Sequence, residues 1–473
     1  MKFIVRNFSY ALASAPVVQL LLCSFFAVVN LSAQTFSVVH NFTDGEGYSP
    51  FGDLVLSSNS LFGTCSGGGA FGSGTVFTLN RNGSGLTVLH DFAAGNNNAS
   101  FEATNSDGLW PEGTLLLSNN TLYGTCSSGG AYGCGTIFKV NTDGSGFTVL
   151  HTFSAIDWNN GATNADGAVP GKSLVLSGRT LYGMTAGGGI SAGGTVFRLN
   201  IDGSDFSKLY DLDNNGYNNT GGGLTLAGNE LYGATMSGGA SGYGSIFKIH
   251  TNGTGFAVVH DFSSPAMPEA TLLLSGSTLF GTTTGEAPDG SSFGAMVFKV
   301  NTDGSGFTNL HTVARSDASL VPLGNTVYGT TVEGGHHDFF DSYGTVFAIN
   351  TDGAGFTNLY SFTVPDFRTG HNQDGANPAG GLLLSGNMLY GTTTYGGSAV
   401  DGTVFVLSLA SSPGIPLSIQ SLRNKLVLSW SDSTFLLQAS PAIGGIYTNV
   451  AGAQSPYTNS VTGLQQFFRL VRP

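Results

Sequence analysis

Two tryptophans, Trp110 and Trp158, and two phenylalanines, Phe101 and Phe367, fall in three long irregular stretches among acids and asparagines. Flat aromatic faces stack on sugar rings, while carboxylates and amides bind hydroxyl groups. The acids in the same stretches are Glu102, Asp107, Glu112, Asp157, Asp166, Asp366 and Asp374. Two of them facing each other across a groove could run a glycosidase mechanism, one protonating the leaving oxygen while the other attacks or activates water. No pair stands out, so binding leads, and a carbohydrate-active hydrolase or lyase using the same loops is the alternative. A structural reading competes at several of these positions. Asp107-Gly-Leu-Trp-Pro111, Asp166-Gly-Ala-Val-Pro170 and Asp374-Gly-Ala-Asn-Pro378 share the pattern Asp-Gly-x-x-Pro, the chemistry of a turn that launches a strand. Trp110 and Trp158 either pack beneath such loops or face a ligand. The candidate ligand contacts are therefore Trp110, Trp158, Phe101, Phe367, Glu102 and Asp157, and no catalytic residue is assigned.

Other reactive side chains carry less. His40, His90, His151, His260 and His311 recur at one position of a repeat, with Tyr210 and Tyr360 filling the remaining two. Exchange of His for Tyr favours packing and hydrogen bonding over metal ligation. His336, His337, Asp338 and Asp341 are competent ligands but lack any standard zinc spacing. No metal and no cofactor is expected. Cys126 and Cys134 flank one Gly-rich loop, so a local disulfide is the expectation in an oxidising compartment, leaving Cys65 as a free thiol.

The elements that must position these residues form a repeating cassette. Residues 114–153 hold four apolar runs separated by turns rich in Ser, Asn, Asp and Gly, the pattern of a four-stranded antiparallel meander. Leu-Tyr-Gly or a close copy recurs seven times, at 61, 122, 181, 231, 279, 327 and 389, and so does Thr-Val-Phe or its equivalent. The fourth strand also occurs seven times, but its first copy, 36–42, precedes any complete cassette, and none follows 403–407. The surplus strand at the start is the one missing at the end. Four-stranded sheets repeated about every 50 to 60 residues predict an all-β, seven-bladed propeller over 34–409, closed by its N-terminal strand. An open solenoid has no use for a displaced strand, whereas a ring pairs both edges. Residues 410–416 read as a linker and 417–473 as a small β-sandwich-like module.

The cassette, with Leu-Tyr-Gly-Thr-Thr, a Gly-Gly loop, Gly-Thr-Val-Phe and an Asn-Thr-Asp-Gly turn, resembles the Gloeo/Verruco tandem repeat of secreted, choice-of-anchor-type bacterial proteins. The resemblance covers about residues 36–407. The tail, with Trp430, Leu437-Gln-Ala-Ser440 and Phe467-Phe-Arg-Leu470, is similar to a verrucomicrobial C-terminal β module. This resemblance implies no activity and no catalytic residue. Because the sequence reaches Pro473 without the hydrophobic helix and basic tail of anchored members, surface anchoring by that route is not expected.

Charge and targeting bound the function class. The formal net charge is −13, which argues against nucleic acid or anionic membrane as partner. Residues 1–33 read as a signal peptide: Lys2 and Arg6, an apolar stretch over 11–29, and a small-residue cleavage site at Ala33. A retained anchor is the alternative for that stretch, and no second spanning segment follows. The expectation is a secreted or cell-surface binding scaffold whose partner is extracellular carbohydrate or another surface protein, with a purely structural envelope protein as a further alternative.

Overall fold

The computed structural model describes residues 34–97, 103–212, 222–264, 266–285, 295–335, 343–409, 418–422, 425–429, 436–440, 448–450, 452–460 and 467–471. Phe101, Glu102, the 336–341 cluster, Trp430, the linker and the signal segment lie outside these residues.

Seven antiparallel sheets follow one another over Phe36–Ser408. Blade two shows the plan: Leu116–Ser118, Thr121–Cys126, Thr136–Asn141 and Thr148–Thr152 pair in sequence order. The others are blade one (55–91), three (175–211), four (225–261), five (273–312), six (321–361) and seven (383–408). In blade seven the fourth strand is Phe36–Asn41, which pairs antiparallel with Thr403–Ser408 in a register running from Phe36↔Leu407 to Asn41↔Thr403. The ring is a seven-bladed β-propeller closed by its own first strand. Every third–fourth strand pair carries a register shift at the same place, for example between Ile137 and Phe138. The closing pair repeats it between Val38 and His40. A bulge bends and twists the outer strand, and its recurrence marks Phe36–Asn41 as a true fourth strand.

The Leu-Tyr-Gly glycine has a packing cause. A Cβ on Gly124 would stand 2.4 Å from Cζ of Phe138, and the six equivalent glycines meet the third-strand phenylalanine of their own blades at 2.4–2.7 Å. Those seven phenylalanines are fully buried. Each core cluster joins two adjacent blades, as where Phe62, Val76 and Phe92 of blade one pack with Leu115, Leu122 and Phe138 of blade two.

The histidine/tyrosine position seals the outer circumference. His90 stacks on Phe147, His151 on Phe206, Tyr210 on Phe256, His260 on Phe307, His311 on Phe356 and Tyr360 on Phe36, each ring reaching the following blade. Centroids are 3.5–4.1 Å apart and planes within 16°. At the seventh junction Leu86 stands where the other blades carry phenylalanine. These side chains are spread around the rim, in the packing role read from the His/Tyr exchange.

Within the ring, Tyr48–Pro50 and Ala168–Pro170 add to the sheets of blades one and three, and Asn96–Asn97 pairs with Ala103–Thr104. The described strands after Ser408 form two three-stranded antiparallel sheets, ordered Ser418–Leu422, Lys425–Ser429, Tyr457–Ser460 and Thr448–Asn449, Leu436–Ser440, Phe467–Val471. Leu428 and Leu437 are buried.

Candidate functional site

Alternation of strand direction puts the second–third strand loops and the blade-to-blade connections on one face of the ring, called here the upper face. The Asp-Gly-x-x-Pro turns belong to it and act as latches. Asp107 meets His90 Nε2 at 3.0 Å and accepts from Ala93 N at 3.1 Å. Asp166 meets His151 Nε2 at 3.0 Å and also accepts from the Ser154 hydroxyl. Asp374 accepts from the Tyr360 hydroxyl at 2.8 Å and from Thr363 N at 2.9 Å. Burial pushes the Asp166 carboxyl up, but the bonds from His151 and Ser154 outweigh it and hold the group below the usual carboxylate range. Four residues after each Asp, the proline packs on a glycine of the preceding blade: Pro111 on Gly74, Pro170 on Gly135, Pro378 on Gly344. These acids hold the ring together.

Trp110 sits inside one latch with φ of +56°. Its N–H donates to Ser73 O of blade one at 3.2 Å, and its carbonyl accepts from Ser127 N of blade two at 3.2 Å. Ser49, Val169, Met267 and Asn377 occupy the same left-handed slot in other blades, at φ of +48° to +56°. The backbone thus demands no particular side chain here. Trp110 leaves half its surface in water, at 50% exposure.

Trp158 and Phe367 stand on a turn of their own. In Asp157-Trp-Asn-Asn-Gly161 the Asp157 carboxylate accepts from Asn159 N at 3.1 Å, capping a single 3-10 turn, and Gly161 closes it at φ of +73°. In Asp366-Phe-Arg-Thr-Gly370 the Asp366 carboxylate accepts from Arg368 N at 3.0 Å and Thr369 N at 2.9 Å, and Gly370 closes at +74°. The bonds from Thr369 and Arg368 hold the Asp366 carboxyl below its usual range. Between acid and glycine the aromatic ring is held outward: Trp158 is 63% exposed and Phe367 86%. Asp157 is therefore a turn cap beside its tryptophan. The repeated Asp-aromatic-x-x-Gly was the signal in the sequence for this device.

Four further exposed apolar side chains escaped sequence reasoning because they lie beside glycines in the second–third strand loops: Phe71, Tyr132, Ile190 and Tyr395. They come from blades one, two, three and seven, which are consecutive around the ring.

A second cluster lies at the axis, where the residues just before each first strand converge. Lys172 Nζ of blade three donates to Glu269 Oε1 of blade five at 2.7 Å and lies 4.6 Å from the ring centroid of Phe51 in blade one. Arg315 forks onto Asp317, Nε to Oδ1 and Nη2 to Oδ2, both at 3.2 Å. Asp53 accepts from Gly381 N, tying blade one to blade seven. Burial pushes the carboxyls of Asp53, Glu112 and Asp317 upward, while Lys172 pulls all three down. The space among them is about 20 Å³, room for one water and too little for a sugar. Glu112, grouped by sequence with the upper-face acids, belongs here instead. Among the described residues no group of three or more His, Cys, Asp or Glu could hold a metal.

The expected Cys126–Cys134 disulfide is not formed; both are buried thiols, as is Cys65. The cause is positional. Cys126 pairs across the sheet with Thr136, and Cys65 with Thr75. In blades three and seven that position is Thr, and its hydroxyl meets the partner hydroxyl, as Thr185–Thr195 at 3.0 Å and Thr393–Thr403 at 2.9 Å. Cys126 stands in for that threonine and faces inward, while the Cys134 thiol turns to the Tyr132 carbonyl. Burial holds the Cys126 thiol well above its ordinary range.

Residues 25–159 and 98–293 match the family model described as the Gloeobacter/Verrucomicrobia repeat. No curated relative matches the chain. Among solved structures, an oligogalacturonate lyase in complex with manganese is 12% identical, covering 80% of this chain and 97% of that one at a TM-score of 0.48. The GH74 enzyme of Niastella koreensis is 16% identical, covering 91% and 69% at 0.45, and BamB of Moraxella catarrhalis is 15% identical, covering 80% and 98% at 0.41.

Proposed function

The chain belongs to the Gloeobacter/Verrucomicrobia repeat family, and from its upper face we propose that it is a secreted or cell-surface scaffold that binds extracellular carbohydrate. Trp110 carries the reading. Ser, Val, Met and Asn serve the same strained slot elsewhere, so the backbone does not call for a large ring there, and one left half in water supports a ligand contact. Trp158 and Phe367, held out by capped turns, support it. Among the described residues no helix is long and apolar enough to cross a membrane. The hydrolase alternative gains no observation, because Asp107, Asp166, Asp374, Asp157 and Asp366 are each engaged in holding a turn or a ring.

A glycan array probed with the full chain, Trp110→Ala and Trp158→Ala tests the proposal. The expected result is binding to at least one glycan class that either substitution lowers at least tenfold. Binding unchanged in both variants, or no glycan bound by the parent chain, rejects it.

A further inference from the structure

We propose that the upper face takes an extended, non-acidic polysaccharide chain spanning several blades, an inference that rests on the carbohydrate-binding reading above and names its ligand class. The first observation is continuity. Tyr395, Phe71, Tyr132 and Ile190 present 58%, 58%, 49% and 71% of their surface from the same loop of blades seven, one, two and three. Trp110 is interposed between two of these loops, since its N–H bonds Ser73, two residues from Phe71, and its carbonyl bonds Ser127 at the start of the loop that carries Tyr132. Apolar platforms therefore follow one another along an arc and do not gather in one pocket. Several weak platforms in series reward a ligand that engages them together, because each added contact is intramolecular. A mono- or disaccharide would use only one or two.

The second observation is charge. Asp44 and Asp157 are exposed on this face. Of the described cations that reach it, Lys172 is turned to the axis on Glu269, Arg315 is paired with Asp317 at 3.2 Å and Lys208 with Asp211 at 2.8 Å, while the exposed Arg368 guanidinium lies over the ring of Phe367 in the blade six–seven connection. A uronate or sulfated chain would meet Asp44 and Asp157 along the arc, with Arg368 beside Phe367 as the one described cation on this face outside an ion pair. Between the rings the surface offers glycine backbone, hydroxyls and carboxylates, which suit sugar hydroxyls.

Calorimetry on the full chain with cello-, xylo- and chito-oligosaccharides of two, four and six units, and with polygalacturonate, tests this. The expected result is affinity rising at least tenfold from two to six units in one neutral series, with polygalacturonate weaker than that hexamer. Phe71→Ala and Tyr132→Ala should each lower hexamer affinity at least fivefold and leave the dimer within twofold, with Tyr132→Phe retaining hexamer affinity. Circular dichroism of each variant checks that the ring is folded. Affinity independent of length, tighter polygalacturonate, or no binding in any neutral series overturns the extended-chain proposal. A positive array that depends on Trp110 or Trp158 together with any of those outcomes leaves the carbohydrate reading standing, so the two fail separately.

Discussion

The Phe36 ring lies flat on the Tyr360 ring, 3.7 Å between centroids and 4° between planes. One belongs to the first strand of the ring and the other to blade six, so this contact joins the closing strand to the neighbouring sheet as well as to its own. Phe36→Ala should cost about 2–4 kcal/mol through lost packing and stacking. Urea unfolding measures it; a change below about 0.5 kcal/mol would show that closure rests on backbone pairing alone.

Lys172 is the shared counter-charge at the axis. Lys172→Met leaves Glu269 partly buried without its partner, and removing one member of such a pair costs about 3–5 kcal/mol. The double variant Lys172→Met/Glu269→Leu should recover most of that loss. Equal stability of single and double variants, read by denaturant titration, would contradict a direct pairing.

Asp53 gives a pH dependence of unusual sign. Its folded-state carboxyl is raised by burial, so the native state holds this proton more tightly than the unfolded chain. That contribution favours the ring at low pH and is lost as pH rises from the unfolded value, about 3.9, through the raised folded value. Asp53→Asn, which keeps an acceptor for Gly381 N, should raise the melting temperature at pH 8 and have little effect at pH 4. The reverse pattern would mean that the ionised group is the stabilising one.

The cysteines should be replaceable. Cys126→Thr installs the hydroxyl pair already present in blades three and seven, and should change stability by no more than about 1 kcal/mol, in the stabilising direction if at all. Reductant should leave the melting curve of the parent chain unmoved. A clear fall with reductant would establish a bridge.

Much of this architecture is legible in the residues. The surplus strand over 36–42 and the absent strand after 403–407 already define the ring, because turn chemistry and apolar alternation are local and repeat faithfully. The Asp-Gly-x-x-Pro acids are legible as turn residues for the same reason, whereas their bonds back to His90, His151 and Tyr360 join positions distant in the repeat. Trp158 and Phe367 are legible as exposed only once Asp-aromatic-x-x-Gly is seen twice. Cys126 misled because loop proximity suggested a partner, whereas its cassette position, shared with Thr185 and Thr393, fixes it inward. The axial set could not be read. Phe51, Glu112, Lys172, Glu269 and Asp317 come from five blades, and each blade alone shows only one odd residue before its first strand.

The pairing of residues 36–41 with 403–408 also sets a condition on biosynthesis. The first ring strand to be made has no final partner until the last sheet is almost complete, so every shorter nascent product carries open hydrogen-bonding edges. Premature termination or clipping within blade seven yields a species that proteases and aggregation can reach. Synthesis through Ser408 is thereby the condition for a ring with no open edge at this junction.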